Sequence, residues 1–233
     1  MTHIVSILRR IYRRLPEAPS TNFAFRRPDL NPYALMGPGA RVVDLGSKDA
    51  RGRYAFGAPP EDAQLICVDI CDGPNVDIVA DAADLHMIDG DSVDGVFLVD
   101  VLQHVPEPHR VAGEVMRILK PGGVIYAAAP LIYPFHEDPD DYYRFSYKGL
   151  QKLFGAAECL ESGFSRGPAS TMLQLSVHYW SLILSFNNRY LHTLLLALFK
   201  YMFFWVKYGD VIFARYAGAR NIHTASYFIG RKP

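Results

Sequence analysis

Short runs of β-branched and aliphatic residues alternate with helical or turn-rich stretches between residues 41 and 128. This alternation is typical of parallel strands joined by crossover connections. Each run is rich in Val, Ile or Leu, as expected for strands that are covered on both faces. We therefore predict five strands, at residues 41–45, 65–69, 76–80, 93–99 and 124–128.

Apolar residues at helical spacing predict a helix over residues 106–119, and the following Lys-Pro-Gly-Gly sequence is a helix stop. After the fifth strand we predict a short helix at residues 146–154 and a strand at 158–161. A long apolar helical region then covers residues 172–208, and alternation over residues 226–230 predicts a closing strand.

The chain contains neither an internal repeat nor a low-complexity linker, so we predict one α/β domain over residues 41–233. Residues 1–40 form a predicted basic helical arm. Its apolar residues recur at helical spacing among arginines, which fits either a helix docked on the domain or a membrane-surface anchor.

The net charge and the cysteines of the chain disfavour some classes of function. The net charge is +0, so no overall positive field attracts nucleic acid, and we predict no nucleic-acid partner. Cys67, Cys71 and Cys159 have neither disulfide-framework nor zinc-site spacing, which favours a reduced, cytoplasmic location and no bound metal.

An acidic residue ends each of the first two predicted strands, Asp44 and Asp69, and Gly46 follows the first one closely. In an open parallel sheet ligands bind outside the carboxyl ends of the strands, and a carboxylate there can accept the hydroxyl groups of a ribose. Lys48 and Ala50 replace the glycines that a pyrophosphate-binding turn needs. A nicotinamide dehydrogenase is therefore disfavoured, whereas an adenosyl ligand without phosphate is not.

Five elements in order resemble the class I S-adenosylmethionine-dependent methyltransferases, particularly the small-molecule branch that includes quinone-biosynthesis enzymes. They are Asp44-Leu45-Gly46, Asp69, Asp81-Ala82, Leu102-Gln103-His104-Val105 and the Leu-Lys-Pro-Gly-Gly sequence at residues 119–123. The chain departs from the family at Lys48, which replaces a second glycine, and at Gln103, where many relatives carry Glu.

The resemblance implies a Rossmann-like, doubly wound sheet of about seven strands with the last strand antiparallel. It places the apolar helical region as an insertion between strands six and seven, and it implies S-adenosyl-L-methionine as the cofactor. The residues that it assigns to cofactor binding are Asp44, Gly46 and Ser47 at the methionine part, Asp69 and Ile70 at ribose and adenine, Asp81 and Ala82 at adenine, and Val99 and Asp100 near the sulfonium.

Catalytic candidates are His104, after the fourth strand, and His136, after the fifth. Either imidazole could take a proton from an acceptor near neutral pH. His136, Tyr143 and Arg144 are predicted acceptor contacts. The competing interpretations are that His104 packs on the following helix, that Arg144 pairs with Asp138 or Asp141, and that Ser146 caps a helix.

The family topology places the apolar insertion above the cofactor crevice. It is interpreted either as a lid over a hydrophobic acceptor or a membrane-surface contact, or as ordinary core or a homodimer interface. We therefore predict a methyltransferase that acts on a small or lipid-like, glycolipid-type acceptor and is cytoplasmic or membrane-peripheral. The alternative is a catalytically silent protein of the same fold that serves as an interaction partner.

Overall fold

The computed structural model describes residues 30–46, 54, 56–137 and 139–233, and most of the predicted N-terminal arm lies outside them. Seven strands form one sheet in the order β3-β2-β1-β4-β5-β7-β6. Their bounds are β1 Arg41–Leu45, β2 Gln64–Asp69, β3 Ile78–Val79, β4 Val93–Val99, β5 Leu119–Pro130, β6 Glu158–Arg166 and β7 Ala225–Arg231.

Five α-helices are found in the described ranges, with 3-10 turns at Leu102–His104, Phe204–Gly209 and Ala217–Asn221. The helices are α1 Pro108–Ile118, α2 Tyr147–Leu153, α3 Pro168–Leu184, α4 Arg189–Met202 and α5 Asp210–Phe213. The last three belong to residues 167–224, which connect β6 to β7 and are called the insertion below.

The first five strands are parallel, and β7 is antiparallel to both β5 and β6. This confirms the predicted Rossmann-like sheet with its antiparallel last strand and its helical insertion between strands six and seven. Because β6 ends and β7 begins at the carboxyl edge of the parallel strands, the insertion rises from that edge.

Apolar side chains cover both faces of the sheet. One cluster joins β1, β4 and β5 to α1 and α2 through residues such as Val43, Leu98 and Val115. On the opposite face, Tyr33 and Phe56 pack edge-to-face on Phe97, with ring centroids 5.1 and 5.3 Å away. Strands β1 and β4 are accordingly covered on both faces, as their Val- and Leu-rich sequences predict.

Four predicted boundaries need correction. Strand β6 runs to Arg166 instead of ending at residue 161, because it stays paired with β7 as far as Ala225. Strand β3 covers only Ile78–Val79 instead of residues 76–80, because the Val76 N–H turns back to the Gly73 carbonyl. Strand β5 begins at Leu119, which pairs with Val93 before a register shift, rather than at residue 124. The apolar region starts as a helix at Pro168 and is divided into α3 and α4 instead of forming one long helix.

Candidate active site

The carboxyl ends of three neighbouring strands lie side by side at one edge of the sheet. Leu45 pairs with Val68 on β2 and with Leu98 on β4. The residues that follow these three, one on each strand, are Asp69, Gly46 and Val99. The register therefore brings three predicted cofactor residues from separate parts of the chain into one row.

Gly46 sits in a turn that only glycine accommodates. Its φ is +69°, and a Cβ there would lie 2.3 Å from Cγ2 of Val101. Its N–H donates to the Val68 carbonyl at 2.7 Å, which fixes the turn against β2. Val101 was missed in the sequence, and Ser47 lies outside the described residues.

Asp44 is fully buried beneath this turn and accepts a hydrogen bond from the Tyr54 hydroxyl. Burial, followed by the Asp44 charge, raises the pKa of Tyr54 far above its ordinary value, so the phenol keeps its proton and donates. No periodicity or motif in the sequence identifies Tyr54, because its contact with Asp44 forms only in the folded chain.

Asp69 ends β2 with a partly exposed carboxylate, and one of its oxygens accepts from the Cys71 N–H at 3.0 Å. Beside it, Ile70 is 60% exposed. Asp81 follows β3, where it accepts from the Ala83 N–H at 2.8 Å, and Ala82 packs against the core. An acidic group next to an exposed apolar side chain suits a ribose with its attached base.

Asp100 follows β4 with a φ of +57°, in the left-handed region that few non-glycine residues adopt. Its N–H donates to the Ala128 carbonyl at 2.9 Å, which holds this conformation in place. Strained backbone of this kind concentrates at functional sites. The exposed Asp100 carboxylate therefore marks the β4 side of the crevice.

His104 and His136 are brought together across the crevice rim, with ring centroids 5.1 Å apart. Nδ1 of His104 is hydrogen-bonded to the Asp140 carbonyl. A carbonyl only accepts, so this nitrogen carries the hydrogen of the neutral imidazole and Nε2 has the lone pair. The hydrogen-bond partner of His104 thus lies in the loop after β5.

Arg144 forms a two-pronged ion pair with the fully buried Asp141 carboxylate, one contact being 2.7 Å long. The Arg144 guanidinium holds the pKa of Asp141 well below its usual value, and burial only partly opposes this. The pairing with Asp141 confirms one competing interpretation of Arg144. Ser146 caps α2, as that interpretation also proposed, by accepting from the Gly149 N–H at 3.1 Å.

The same loop carries two further aromatic side chains. The Tyr133 ring lies 5.0 Å from that of His136, and burial raises the Tyr133 pKa, an effect that the charge of Arg166 opposes and the charge of Asp100 reinforces, each to a smaller extent. Tyr143 instead donates its hydroxyl hydrogen to the Pro106 carbonyl at 3.0 Å. Tyr133, which the sequence did not single out, therefore packs against the histidine pair, whereas the hydroxyl of Tyr143 is bonded to the segment before α1.

Gln103 ties this loop to β4. Its carbonyl accepts from the N–H groups of Tyr142 and Tyr143 at 2.7 and 3.3 Å. The side chain is fully buried, and neither of its amide atoms has a hydrogen-bond partner in the described ranges. Glutamine at this position keeps an uncharged group where a buried carboxylate would be costly.

These residues fit an adenosyl sulfonium group better than a phosphate-bearing cofactor. The crevice edge carries the carboxylates of Asp69 and Asp100, which attract a cationic ligand and repel phosphate. The Gly46 turn, which a Cβ would force against Val101, lies between these two carboxylates in the strand order. The observed donor set therefore agrees with the cofactor that the resemblance implies.

Comparison with known proteins agrees with this geometry. Residues 43–127, from β1 into β5, match a family model described as a methyltransferase domain. Over these residues the chain is similar to methyltransferase domains. No curated protein matches the chain at a significant level.

Solved methyltransferase structures share the fold of this chain. A S-adenosylmethionine-dependent methyltransferase from Archaeoglobus fulgidus is 16% identical, with a TM-score of 0.51 over 89% of this chain and 91% of that one. Phosphoethanolamine N-methyltransferase 2 from Haemonchus contortus, solved with S-adenosylhomocysteine, is 17% identical, with a TM-score of 0.53. That match covers 88% of this chain and 51% of the Haemonchus chain.

A cyclase has the same fold, at 17% identity and a TM-score of 0.52 over 89% of this chain and 80% of that one. These identities are low enough that the likenesses establish the fold alone. The reaction must therefore be argued from the residues of this chain.

Proposed function

We propose that the protein transfers the methyl group of S-adenosylmethionine to a hydroxyl or amino group of a hydrophobic, lipid-like small molecule. The observation that carries the proposal is the row of Asp69, Gly46 and Val99 at the same sheet edge as the His104 and His136 pair. One crevice thus offers a cofactor site and a proton acceptor.

Cofactor binding is assigned to the strand ends. The turn at Gly46 admits the methionine part close to the backbone, and Ser47 is proposed to contact the same part. Asp69 accepts the ribose hydroxyls while Ile70, Asp81 and Ala82 hold the adenine. Val99 and Asp100 face the sulfur. When bound, S-adenosylmethionine supplies a methyl group on a cationic sulfur, which the nearby carboxylates favour electrostatically.

His104 is proposed as the general base. Because its Nδ1 hydrogen is held by the Asp140 carbonyl, Nε2 is the atom that takes the acceptor proton. His136 packs edge-on against His104 and keeps a second imidazole at the rim. The pair formed by Asp141 and Arg144 holds the loop that carries His136, because Asp141 also accepts from the His136 N–H at 2.8 Å. Tyr143 and Arg144 remain predicted acceptor contacts.

The hydrophobic acceptor is inferred from the insertion. Ala225 at the start of β7 pairs with Pro130 at the end of β5 on one side and with Arg166 at the end of β6 on the other, so the insertion rises beside the loop that carries His136. Its helices present large apolar side chains, including Met172 and Trp180, each 52% exposed. An acceptor with an alkyl or prenyl chain would cover such surface, at about 0.8 kcal/mol per buried methylene.

We also propose a cytoplasmic location. Cys67, Cys71 and Cys159 form no disulfide in the described part of the chain, and two of them are exposed, which suits a reducing compartment. Within the described ranges, no helix combines the length and apolar character that crossing a bilayer requires.

The acceptor proposal is tested with methyl-labelled S-adenosylmethionine and two compound series, a phenol and a primary amine, each with a methyl or a long alkyl substituent. We expect label transfer with kcat/KM at least tenfold higher for the long-chain member of the accepted series. His104→Asn should lower kcat by about 10²-fold or more while S-adenosylhomocysteine affinity is unchanged. Transfer to short-chain compounds alone, or full activity in His104→Asn, would contradict the proposal.

A further inference from the structure

The charge of the insertion is one-sided. Residues 167–224 contain five basic residues and a single acidic one, Asp210. The basic residues are Arg189, Lys200, Lys207, Arg215 and Arg220. Asp210 is only 2% exposed, and it accepts from the N–H groups of Gly167, Ala169 and Ser170 at 2.8–3.1 Å. The only negative charge of the insertion is thus turned inward, and the charge on its surface is positive.

Most of the exposed large apolar side chains in the described part of the chain lie on this same segment. Helix α4 has no buried residue at all. The turn between α3 and α4 presents Phe186, which is 85% exposed, and Leu182, one helical turn before it, which is 61% exposed. Phe186 and Asn187 both have positive φ, of 47° and 63°, so backbone strain is retained where an aromatic ring points into solvent.

Basic and aromatic groups are interleaved in the way that suits a membrane–water interface. The Arg189 guanidinium lies 4.8 Å from the Tyr190 ring centroid, and the Lys207 ammonium lies 5.7 Å from that of Tyr208. Trp205 is 58% exposed, and its indole N–H is already bonded to the Met202 carbonyl at 3.1 Å. Such side chains place rings in the acyl boundary and charges among headgroups.

We propose that the surface formed by α3, α4 and the segment up to Ile222 docks on anionic phospholipid membranes. Positive charge without an outward acid complements an anionic headgroup layer, and exposed rings and aliphatic side chains supply the apolar contact. A second copy of the chain fits less well, since a two-fold interface would bring the same basic residues of both copies together.

The geometry also gives the docking a direction. Helix α3 begins at Pro168, next to the end of β6, and its 17 residues extend for about 25 Å. Phe186 therefore lies about one helix length from the residue at which the insertion leaves the sheet. Docking through Phe186 makes the turn between α3 and α4 the part of the insertion that meets the bilayer, and it does not depend on which acceptor the enzyme uses.

The test is vesicle flotation of the full chain, without cofactor or acceptor, on pure phosphatidylcholine and on phosphatidylcholine with about 30% phosphatidylglycerol. We expect binding to the anionic vesicles that weakens with salt and is at least tenfold poorer on the neutral ones. The paired substitution Leu182→Ser with Phe186→Ser, and the pair Arg189→Glu with Arg220→Glu, should each reduce anionic binding at least tenfold.

Matched controls lie outside the insertion. Met87→Ser changes an apolar side chain that is 41% exposed, and Lys152→Glu reverses an exposed charge on α2, so both should bind like the unaltered chain. Unchanged S-adenosylhomocysteine affinity verifies that the insertion variants fold. The proposal is overturned by no anionic-vesicle binding, by equal binding in insertion and control variants, or by a stable dimer that the Leu182→Ser and Phe186→Ser pair converts to monomer.

Discussion

The cofactor crevice and the insertion leave the sheet at the same edge and are built in opposite ways. In β1, every residue after Arg41 is fully buried, whereas α4 buries none. The crevice carries acidic groups such as Asp69 and Asp100, while the surface of the insertion is basic. Close packing on both faces of the sheet holds the crevice residues in place. The insertion instead leaves many of its large apolar side chains exposed, where a ligand or a surface can contact them.

This contrast separates what the fold family shares from what is particular to this chain. The family match ends within β5, well before the insertion begins. We therefore expect substitutions in the crevice to affect cofactor binding and substitutions in the insertion to affect the acceptor or membrane. The following variants test whether a substitution in one of the two regions leaves the stability and binding of the other unchanged.

The largest effect is expected at the Gly46 turn. Gly46→Ala should lower the free energy of unfolding by about 2–4 kcal/mol, since the left-handed φ costs about 1 kcal/mol and overlap with Val101 adds the rest. Gly39→Ala is the matched control, because Gly39 has the same φ of +69° but nothing within 4 Å of its Cβ position. Urea unfolding of both variants measures the difference, and equal losses would show that the close approach to Val101 does not matter.

Asp210 should give the next largest effect, confined to the insertion. Asp210→Asn places an amide group against backbone donors at the start of α3 and should cost about 2 kcal/mol. Hydrogen exchange should accelerate in α3 while the sheet amides and S-adenosylhomocysteine affinity stay unchanged. A loss of cofactor affinity would show that the insertion is part of the crevice's support.

His178 should give the smallest effect, and it is pH-dependent. Burial, followed by the charge of Lys200, lowers the pKa of His178 to about 4, below its ordinary value of 6.5. The unfolded chain then binds more protons than the folded one between these values, so stability falls as pH decreases from about 6.5 to 4. His178→Phe should flatten the dependence of urea midpoint on pH in this window. An unchanged slope would exclude His178 as its source.

The predictability of the fold follows the same contrast. Strands β1 and β4 are predicted at their observed bounds because short runs rich in Val and Leu, set between turn residues, favour strands that are covered on both faces. The division between α3 and α4 is not predicted, although the sequence carries a signal for it: Asn187 and Asn188 interrupt the apolar run, and Asn188 caps α4 by accepting from the Tyr190 and Leu191 N–H groups. Local pattern cannot show that Asp210 caps a helix beginning 42 residues earlier.

At the site, the strand-end position of Asp44, Asp69 and Asp100 followed from topology, because parallel strands bring their carboxyl ends together. The partners of these residues did not follow. The Tyr54 hydroxyl donates to the Asp44 carboxylate, and Nδ1 of His104 is bonded to the Asp140 carbonyl in a separate loop. Sequence periodicity specifies which residues lie at an edge, whereas side-chain pairing between loops depends on the folded path.

The central claim is that the acidic row at the sheet edge binds an adenosyl sulfonium cofactor, and calorimetric titration tests it most directly. We expect S-adenosylhomocysteine to bind with micromolar affinity and NADH not to bind, and we expect Asp69→Ala to abolish the first without unfolding the chain. Lys152→Glu serves as an unaffected control. Binding of NADH, or undiminished S-adenosylhomocysteine binding in Asp69→Ala, would contradict the account.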